Sequence, residues 1–226
     1  MIVDLLPIGL LGALLGLDTV SFPQAMLSRP FIAATLGGAM MGAPLSGLLL
    51  GAALELIALE TLPFGASRYP EWGSASVVGG ALFATYPEHP AGAMAMAMIA
   101  ALATAWFGGW SMVRLRHLNA RWAAQSRSAL DAGARGTVIG LQLRGMTADF
   151  VRGFILSVIA WAVFAPLTEA AIGTWTLDAR ITRAITVGVA TSVAAGAVWK
   201  LFHASLGARW LFVAGLGIGA MLVVSR

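Results

Sequence analysis

Residues 29–60 read RPFIAATLGGAMMGAPLSGLLLGAALELIALE, with no charged side chain between Arg29 and Glu55. Gly42 and Pro44 break this apolar run midway, and each half is about 12 residues long, which is too short to cross a bilayer alone. A carboxylate at the end of an apolar run is costly in lipid and is usually retained for function. The stretch therefore predicts a membrane protein with broken helices, the kind of element with which transporters bind polar solutes.

The composition predicts that lipid surrounds most of the chain. Hydrophobic residues make up 59% of the 226 residues and charged residues 11%, which is too little polar surface for a soluble domain. The uncharged runs, of which five or six are predicted to lie in the membrane, are residues 5–17, 30–54, 89–113, 153–168, 184–199 and 210–225. No stretch between them is long enough for a soluble domain, so residues 1–226 are predicted to form one all-helical polytopic unit.

Basic residues are concentrated in one segment. Seven of the fourteen lysines and arginines lie in residues 114–152, opposed there only by Asp131 and Asp149. By the positive-inside bias, this segment is predicted to be a cytoplasmic loop between two spans. The net charge of +4 is then explained by arginines that set the membrane topology and contact lipid headgroups. No nucleic-acid partner is therefore expected.

The run from residue 89 to 113 alternates alanine and methionine, which in lipid can only be a helix because an isolated strand would leave its backbone unpaired. Its small residues recur every fourth position, at Ala93, Ala97, Ala101, Ala105 and Gly109. They predict a face along which another helix packs closely. Tryptophans near the ends of runs, such as Trp72 and Trp110, are predicted to be interfacial anchors. The absence of cysteine excludes thiol chemistry, and no cofactor or metal is expected.

The break at residues 42–44 has two interpretations. It is either a kink in one long helix or the tip of a hairpin that dips into the protein. Pro44 removes a backbone donor, and Gly42 and Gly47 allow the chain to reverse. The sequence leaves both interpretations open.

After the break, small or acidic residues recur every fourth position, at Gly47, Gly51 and Glu55. They predict a groove of bare backbone that leads to a carboxylate. A hydroxyl-rich ligand suits such a groove because glycine permits close approach and the carboxylate accepts hydrogen bonds. The alternative is that Glu55 is protonated or paired with an internal cation such as Arg29. Glu60 lies about 140° further around the helix and does not share this face.

Two polar segments flank the broken run. Residues 62–71, LPFGASRYPE, cannot form a regular helix because of their prolines, and Arg68 and Glu71 cannot face lipid. This segment is therefore predicted to line a cavity or a surface. Upstream, Asp18 and Gln24 end the first run. They are either a helix-end cap or a second set of ligand contacts.

Residues 24–71 closely resemble the membrane-embedded IIC subunits of the mannose/fructose/sorbose-type phosphotransferase system. The positions that carry the resemblance are Gln24, Arg29, Pro30, Thr35, Leu36, Gly42, Ser46, Gly47, Leu54, Glu55, Gly65, Ala66, Pro70 and Glu71. A looser match continues through Asn119 and through the segment that ends at Arg152 and Gly153. Toward the C-terminus the resemblance is limited to hydropathy.

The resemblance implies an elevator-type helical bundle that binds a hexose or hexosamine between broken helices and carries it inward as one bundle moves against another. It also implies a IID-type membrane subunit and cytoplasmic IIAB as partners, in an oligomer in the bacterial inner membrane. The IIB domain would phosphorylate the sugar from a phosphohistidine. The three histidines of this chain, at positions 89, 117 and 203, have no nucleophile setting, and no phosphate-binding loop occurs. No catalytic residue is expected here.

Candidate site residues follow from the flanking segments together with the resemblance. The predicted substrate-binding residues are Asp18, Gln24, Glu55, Gly65, Ala66 and Glu71. The predicted structural or hinge residues are Arg29, Pro30, Gly42, Pro44, Gly47 and Gly51.

The chain departs from the family pattern at several positions. Glu60 stands where members usually have glycine or an aromatic residue, Pro63 where many have asparagine, and Ala43 where aspartate is common, while Arg68 adds a charge. These departures leave the sugar open and raise two alternatives. One is an orphan IIC-like subunit that serves as scaffold or sensor of another membrane complex. The other is a proton-coupled carrier that uses Glu55 or Glu60.

Overall fold

The computed structural model describes residues 5–59, 68–88 and 90–174, together with isolated residues beyond Thr174. Within these ranges every regular element is a helix. The helices are α1 (Leu5–Asp18), α2 (Pro30–Met40), α3 (Pro44–Ala58), α4 (Trp72–Thr85), α5 (Pro90–Gln125), α6 (Arg127–Asp131) and α7 (Arg135–Gly173). The predicted all-helical fold is confirmed.

Helices α2 and α3 form an antiparallel hairpin. Near its tip, a Cβ atom on Gly38 would lie 2.8 Å from the Cα of Gly47. Near its open end, a Cβ on Gly51 would lie 2.7 Å from the carbonyl oxygen of Pro30. At the tip itself Gly42 has a φ of +80°, a conformation that only glycine adopts freely. The break in the apolar run is therefore a hairpin tip and not a kink.

Both hairpin helices start at a proline, Pro30 in α2 and Pro44 in α3. Proline is tolerated at this position because the first amide groups of a helix have no intrahelical acceptor. With 11 and 15 residues, the helices rise only about 17 and 23 Å, whereas the hydrocarbon core is about 30 Å thick. Neither helix crosses a bilayer, as predicted for a broken span.

The predicted groove along Gly47 and Gly51 does not exist, because helix α2 fills it. A Cβ on Gly47 would lie 2.2 Å from the carbonyl oxygen of Ala34. The prediction of an open path for a ligand ring was wrong. These glycines instead bring two backbones into contact, the usual role of small residues at four-residue spacing in membrane helices.

Helix α4 is the central element, packed against α1, α2, α3, α5 and α7 and buried along nearly its whole length. Its sequence, WGSASVVGGALFAT, has no long apolar run and was not among the predicted spans. Its glycines allow close packing: a Cβ on Gly73 would lie 2.3 Å from a carbonyl oxygen of α1, and one on Gly80 2.1 Å from a carbonyl oxygen of α2. Trp72 is only 8% exposed, so its prediction as an interfacial anchor was wrong.

The predicted small face of α5 is confirmed as a packing face. Its buried members are Ala93, Ala97, Ala101, Ala105 and Gly109. A Cβ on Gly79 of α4 would lie 3.0 Å from the Cβ of Ala101. The amide of Glu71 donates to the carbonyl oxygen of Ala105 at 3.0 Å. Small side chains are required here because α4 and the segment before it run directly over the α5 backbone.

The basic segment is mostly helical, so its prediction as a loop over residues 114–152 was wrong. It comprises the end of α5, the short α6 and the start of α7. Lysine and arginine are good helix formers, and a helix need not end where the lipid ends. With 36 and 39 residues, α5 and α7 rise about 54 and 58 Å, far more than the bilayer core. Its cytoplasmic location stays a prediction.

Of the predicted spans, two are helices long and apolar enough to cross a membrane within the described residues, Gly92–Gln125 and Arg135–Gly173. The runs over residues 5–17 and 30–54 form shorter helices. The runs over residues 184–199 and 210–225 lie outside the continuously described part of the chain.

Candidate ligand site at the base of the α2–α3 hairpin

The open end of the hairpin carries an ion pair between Arg29 and Glu55. The Arg29 Nη2 donates to Glu55 Oε1, and the amide of Phe31 donates to Glu55 Oε2 at 3.3 Å. This amide belongs to the first turn of α2, where N–H groups have no helical acceptor and the helix dipole favours a carboxylate. The alternative pairing predicted for Glu55 is therefore the observed one.

The ion pair is not sealed from its surroundings. The side chains of Arg29 and Glu55 are 29% and 22% exposed. An ion pair that served only to stabilise the fold would be more completely buried, because partial exposure weakens the attraction between the charges. Both charged groups are therefore partly accessible at one place on the surface of the described chain.

Asp18 holds the loop that leads to Arg29. Its carboxylate is buried at the end of α1. One oxygen, Oδ1, accepts from the amide of Ala25 at 2.7 Å, and the other, Oδ2, accepts from the amide of Ser28 at 2.8 Å. The capping role predicted for Asp18 is not observed, because both amides lie in the loop and not in the first turn of a helix. Asp18 as a ligand contact stays a prediction. Asp18 acts on the candidate site by fixing the path of residues 19–29.

Gln24 lies on the exposed outer part of this loop. Its Nε2 donates to the carbonyl oxygen of Val20 at 2.7 Å. The backbone φ is +59° at Gln24 and +62° at Met26, in the left-handed region that residues other than glycine rarely adopt. Such strain costs about 1–3 kcal/mol for each residue and concentrates at functional sites. The two bonds to Asp18 supply part of what holds the loop in this shape.

Glu71 lies in a separate cluster in the core. It precedes α4, and its Oε1 accepts from the amide of Ser74 at 3.1 Å, as a helix N-cap does. The carboxylate is fully buried, and its Oε2 has no hydrogen-bond partner within the described residues. The structure therefore does not place Glu71 beside Glu55. The predicted site residues Gly65 and Ala66, and Glu60 with them, lie outside the described residues.

A buried ion pair between α7 residues was missed by the charge pattern, which assigned both partners to a basic loop. Asp149 is 1% exposed, and its Oδ1 lies 2.9 Å from the Arg152 guanidinium. The hydroxyl of Ser21 donates to Asp149 Oδ2, and Arg152 Nη1 donates to the Ser111 hydroxyl at 3.2 Å. These bonds connect the loop after α1 with α5 and α7. The sequence did contain a signal for this ion pair: Asp149 and Arg152 are three residues apart, on one face of a helix, and Gly153 and an apolar run follow directly.

We expect Arg152→Leu to lower the free energy of unfolding by about 3–5 kcal/mol, because it leaves the Asp149 carboxylate buried without its counter-charge. Thermal unfolding of the detergent-solubilised protein measures the change. Arg127→Leu is the matched control, since Arg127 pairs with Asp131 at 3.8 Å on the exposed surface and such pairs contribute little. Equal unfolding temperatures of the two variants would contradict the expectation.

Comparison with known proteins identifies the family of this chain. The sequence model of the family described as the PTS system sorbose-specific IIC component, EII-Sor, matches residues 2–198. No curated protein sequence gives a significant match. A solved structure titled "Structure of membrane protein" aligns with a TM-score of 0.69 at 19% identity, over 97% of this chain and 87% of that one.

A second solved structure is titled "CryoEM Structure of Mannose Transporter ManYZ and Microcin E492 (MceA) complex". It aligns with a TM-score of 0.61 at 18% identity, again over 97% of this chain and 87% of that one. At these identities the two structures support the fold alone. The family resemblance carried by residues 24–71 is confirmed by the match over most of the chain. This membrane protein belongs to the family of sorbose-type IIC components of the phosphotransferase system.

Proposed function

We propose that this chain is the sugar-translocating subunit of a mannose-family phosphotransferase system. It binds a hexose or hexosamine and moves it inward, where a partner IIB domain phosphorylates it. The observation that carries this proposal is the partly exposed Arg29–Glu55 pair at the base of a hairpin too short to cross the membrane. A charged site beside interrupted helices is how transporters bind polar solutes at membrane depth.

The chemistry of the pair fits a sugar. A carboxylate accepts hydrogen bonds from hydroxyl groups, and a guanidinium donates several in a fixed planar arrangement. Neighbouring hydroxyls on a sugar ring can therefore donate to Glu55 and accept from Arg29 at the same time. Hydrogen bonds to charged groups are about twice as strong as those between neutral groups. The site selects for a hydroxyl-rich molecule and holds no group that transfers phosphate.

The outer surface supports a location in a bilayer beside a second membrane subunit. Helix α7 exposes apolar side chains every fourth residue, at Ile155, Ile159, Val163 and Leu167. A stripe of this kind would be unfavourable in water and is suited to lipid or to another membrane helix. We therefore propose a multi-pass protein of the bacterial inner membrane that assembles with a IID-type subunit and with cytoplasmic IIAB.

The proposal is tested by uptake of radiolabelled mannose, fructose, sorbose and glucosamine into cells that lack their own mannose-type system. The chain is expressed together with a IID-type subunit and IIAB. We expect uptake of at least one sugar that requires phosphoenolpyruvate and IIAB and survives a protonophore. Uptake that persists without a phosphoryl donor and collapses with the proton gradient would assign a carrier. Absence of uptake, with no IID or IIAB co-purifying, would assign an orphan scaffold or sensor.

A further inference from the structure

A cleft of about 400 Å³ lies away from the hairpin, between the loop after α1 and the basic ends of α5 and α7. The polar side chains that line it are Ser21, Asn119 and Gln142, and Trp122 contributes an aromatic surface. Its volume is within the range of small-molecule sites, which combine apolar walls with a few polar groups.

Two side chains in the polar lining offer hydrogen-bond acceptors to a ligand. The Oδ1 of Asn119 is buried and has no hydrogen-bond partner within the described residues. The Ser21 hydroxyl already donates its hydrogen to Asp149, so toward the cleft it can only accept. A buried acceptor left unpaired is costly. A ligand with hydroxyl groups can donate to Ser21, and to Asn119 once its amide turns toward the cleft, whereas a bare phosphate dianion cannot donate.

The aromatic wall is held in place from outside the cleft. The Arg144 guanidinium lies 4.0 Å from the centroid of the Trp122 ring, and Arg144 does not line the cleft. A cation over the face of tryptophan is an attractive contact that fixes the ring. The part of the ring that the guanidinium leaves uncovered gives the cleft an apolar surface, on which the C–H groups of a sugar ring can pack.

The cleft lies among the arginine-rich helix ends, which the positive-inside bias predicts to be cytoplasmic, the side on which an imported solute leaves the membrane. Since α5 and α7 rise about 54 and 58 Å, roughly half of each must lie outside the hydrocarbon core. The ends that form the cleft are those rich in arginine, which leave lipid more readily than the apolar ends. The loop over residues 19–29 joins both places, with Ser21 in the cleft and Arg29 at the hairpin base.

We propose that this cleft is a second site for the uncharged sugar, occupied after the sugar leaves the Arg29–Glu55 pair and before phosphoryl transfer. The inference rests on the proposed transport of a sugar by this chain. It adds a position on the exit side at which sugar hydroxyls donate to Asn119 and Ser21 while the ring contacts Trp122.

The absence of cysteine allows a direct test. Gln142→Cys introduces the one thiol of this chain into an exposed part of the cleft, and labelling of this chain by a membrane-impermeant maleimide is followed in inside-out vesicles that contain the full complex. We expect the sugar that the complex transports, among mannose, fructose, sorbose and glucosamine, to slow the labelling. Gly136→Cys, on the same helix but outside the cleft and exposed, is the matched control. Its labelling rate is expected not to change.

The same measurement in a Glu55→Gln background separates the two sites. Protection that persists there supports a cleft that binds sugar independently. Loss of protection in this background would overturn an independent second site, because protection in the cleft would then require sugar binding at the Arg29–Glu55 pair. An unchanged labelling rate of Gln142→Cys in a complex that transports normally would overturn the cleft and leave the proposed function standing. If neither uptake nor protection occurs, both proposals fail.

Asn119→Leu tests the acceptor. We expect it to raise the half-protecting sugar concentration about tenfold, the effect of one lost hydrogen bond, while Asn119→Asp retains the acceptor and much of the protection. Gly145→Leu adds a large side chain to the cleft beside Asn119, since a Cβ there would lie 3.5 Å from the Asn119 side chain, an ordinary contact. It is expected to abolish protection. Full protection in both Asn119→Leu and Gly145→Leu would overturn the proposal.

Discussion

Glu55→Gln is expected to reduce phosphoenolpyruvate-dependent sugar uptake more than tenfold while the protein still inserts into the membrane. The substitution keeps the size of the side chain and removes its charge. Each hydrogen bond between a ligand hydroxyl and a carboxylate contributes about 1.5–3 kcal/mol, and every 1.4 kcal/mol is about a tenfold change in binding. The pair is partly exposed, so the loss falls on ligand binding more than on stability.

Initial rates of uptake at several sugar concentrations measure this effect. Glu88→Gln is the matched control, since Glu88 is an exposed carboxylate beyond the end of α4 and its neutralisation should leave uptake unchanged. Quantification of the protein in membranes separates loss of function from loss of folding. Normal uptake by Glu55→Gln would remove this carboxylate from the ligand site.

Gly80→Ala is expected to prevent the hairpin from packing on α4, with a loss of stability above about 3 kcal/mol. A Cβ at this position would lie 2.1 Å from the carbonyl oxygen of Ala34 and 2.7 Å from its Cα. Both are backbone atoms, so no side-chain rotation relieves the clash and α2 must move away. Gly37 makes the reciprocal contact, because its Cβ would lie 2.3 Å from the Val77 carbonyl oxygen.

Size-exclusion chromatography and thermal unfolding in detergent measure the outcome. Gly140→Ala is the matched control within a helix, since a Cβ there meets nothing within 4 Å. It should be neutral or stabilising by up to about 1 kcal/mol, because alanine favours the helix. If Gly80→Ala were as stable as Gly140→Ala, the tight contact between α2 and α4 would not exist in the membrane.

The sequence was a good guide wherever one helix carried the signal. The broken apolar run ending in Glu55 predicted interrupted helices, and the four-residue spacing from Ala93 to Gly109 predicted a packing face. Both depend on local periodicity, which survives in any tertiary arrangement. The match of residues 24–71 to a family likewise needed no coordinates.

Reasoning from the sequence failed where the role of a residue depended on which other helix of the chain packs against it. Glycines at four-residue spacing allow either a ligand or another backbone to approach, and only the position of α2 shows that Gly47 serves the second purpose. Helix α4 escaped prediction because a helix surrounded by other helices needs small residues more than apolar ones. Asp149 and Arg152 were predicted to be charges of a loop, and only the positions of α1 and α5 show that their ion pair is buried.

By itself, the sequence determined that this chain is a helical membrane protein with an interrupted span and an acid at the end of that span. These properties follow from hydropathy and from the cost of unpaired backbone in lipid, which act on each segment separately. The tertiary structure alone decided that the break is a hairpin tip, that Arg29 is the partner of Glu55, and that Glu71 and Asp149 are buried in the core. Pairing and burial depend on distances between segments far apart in the chain, and no local pattern encodes those distances.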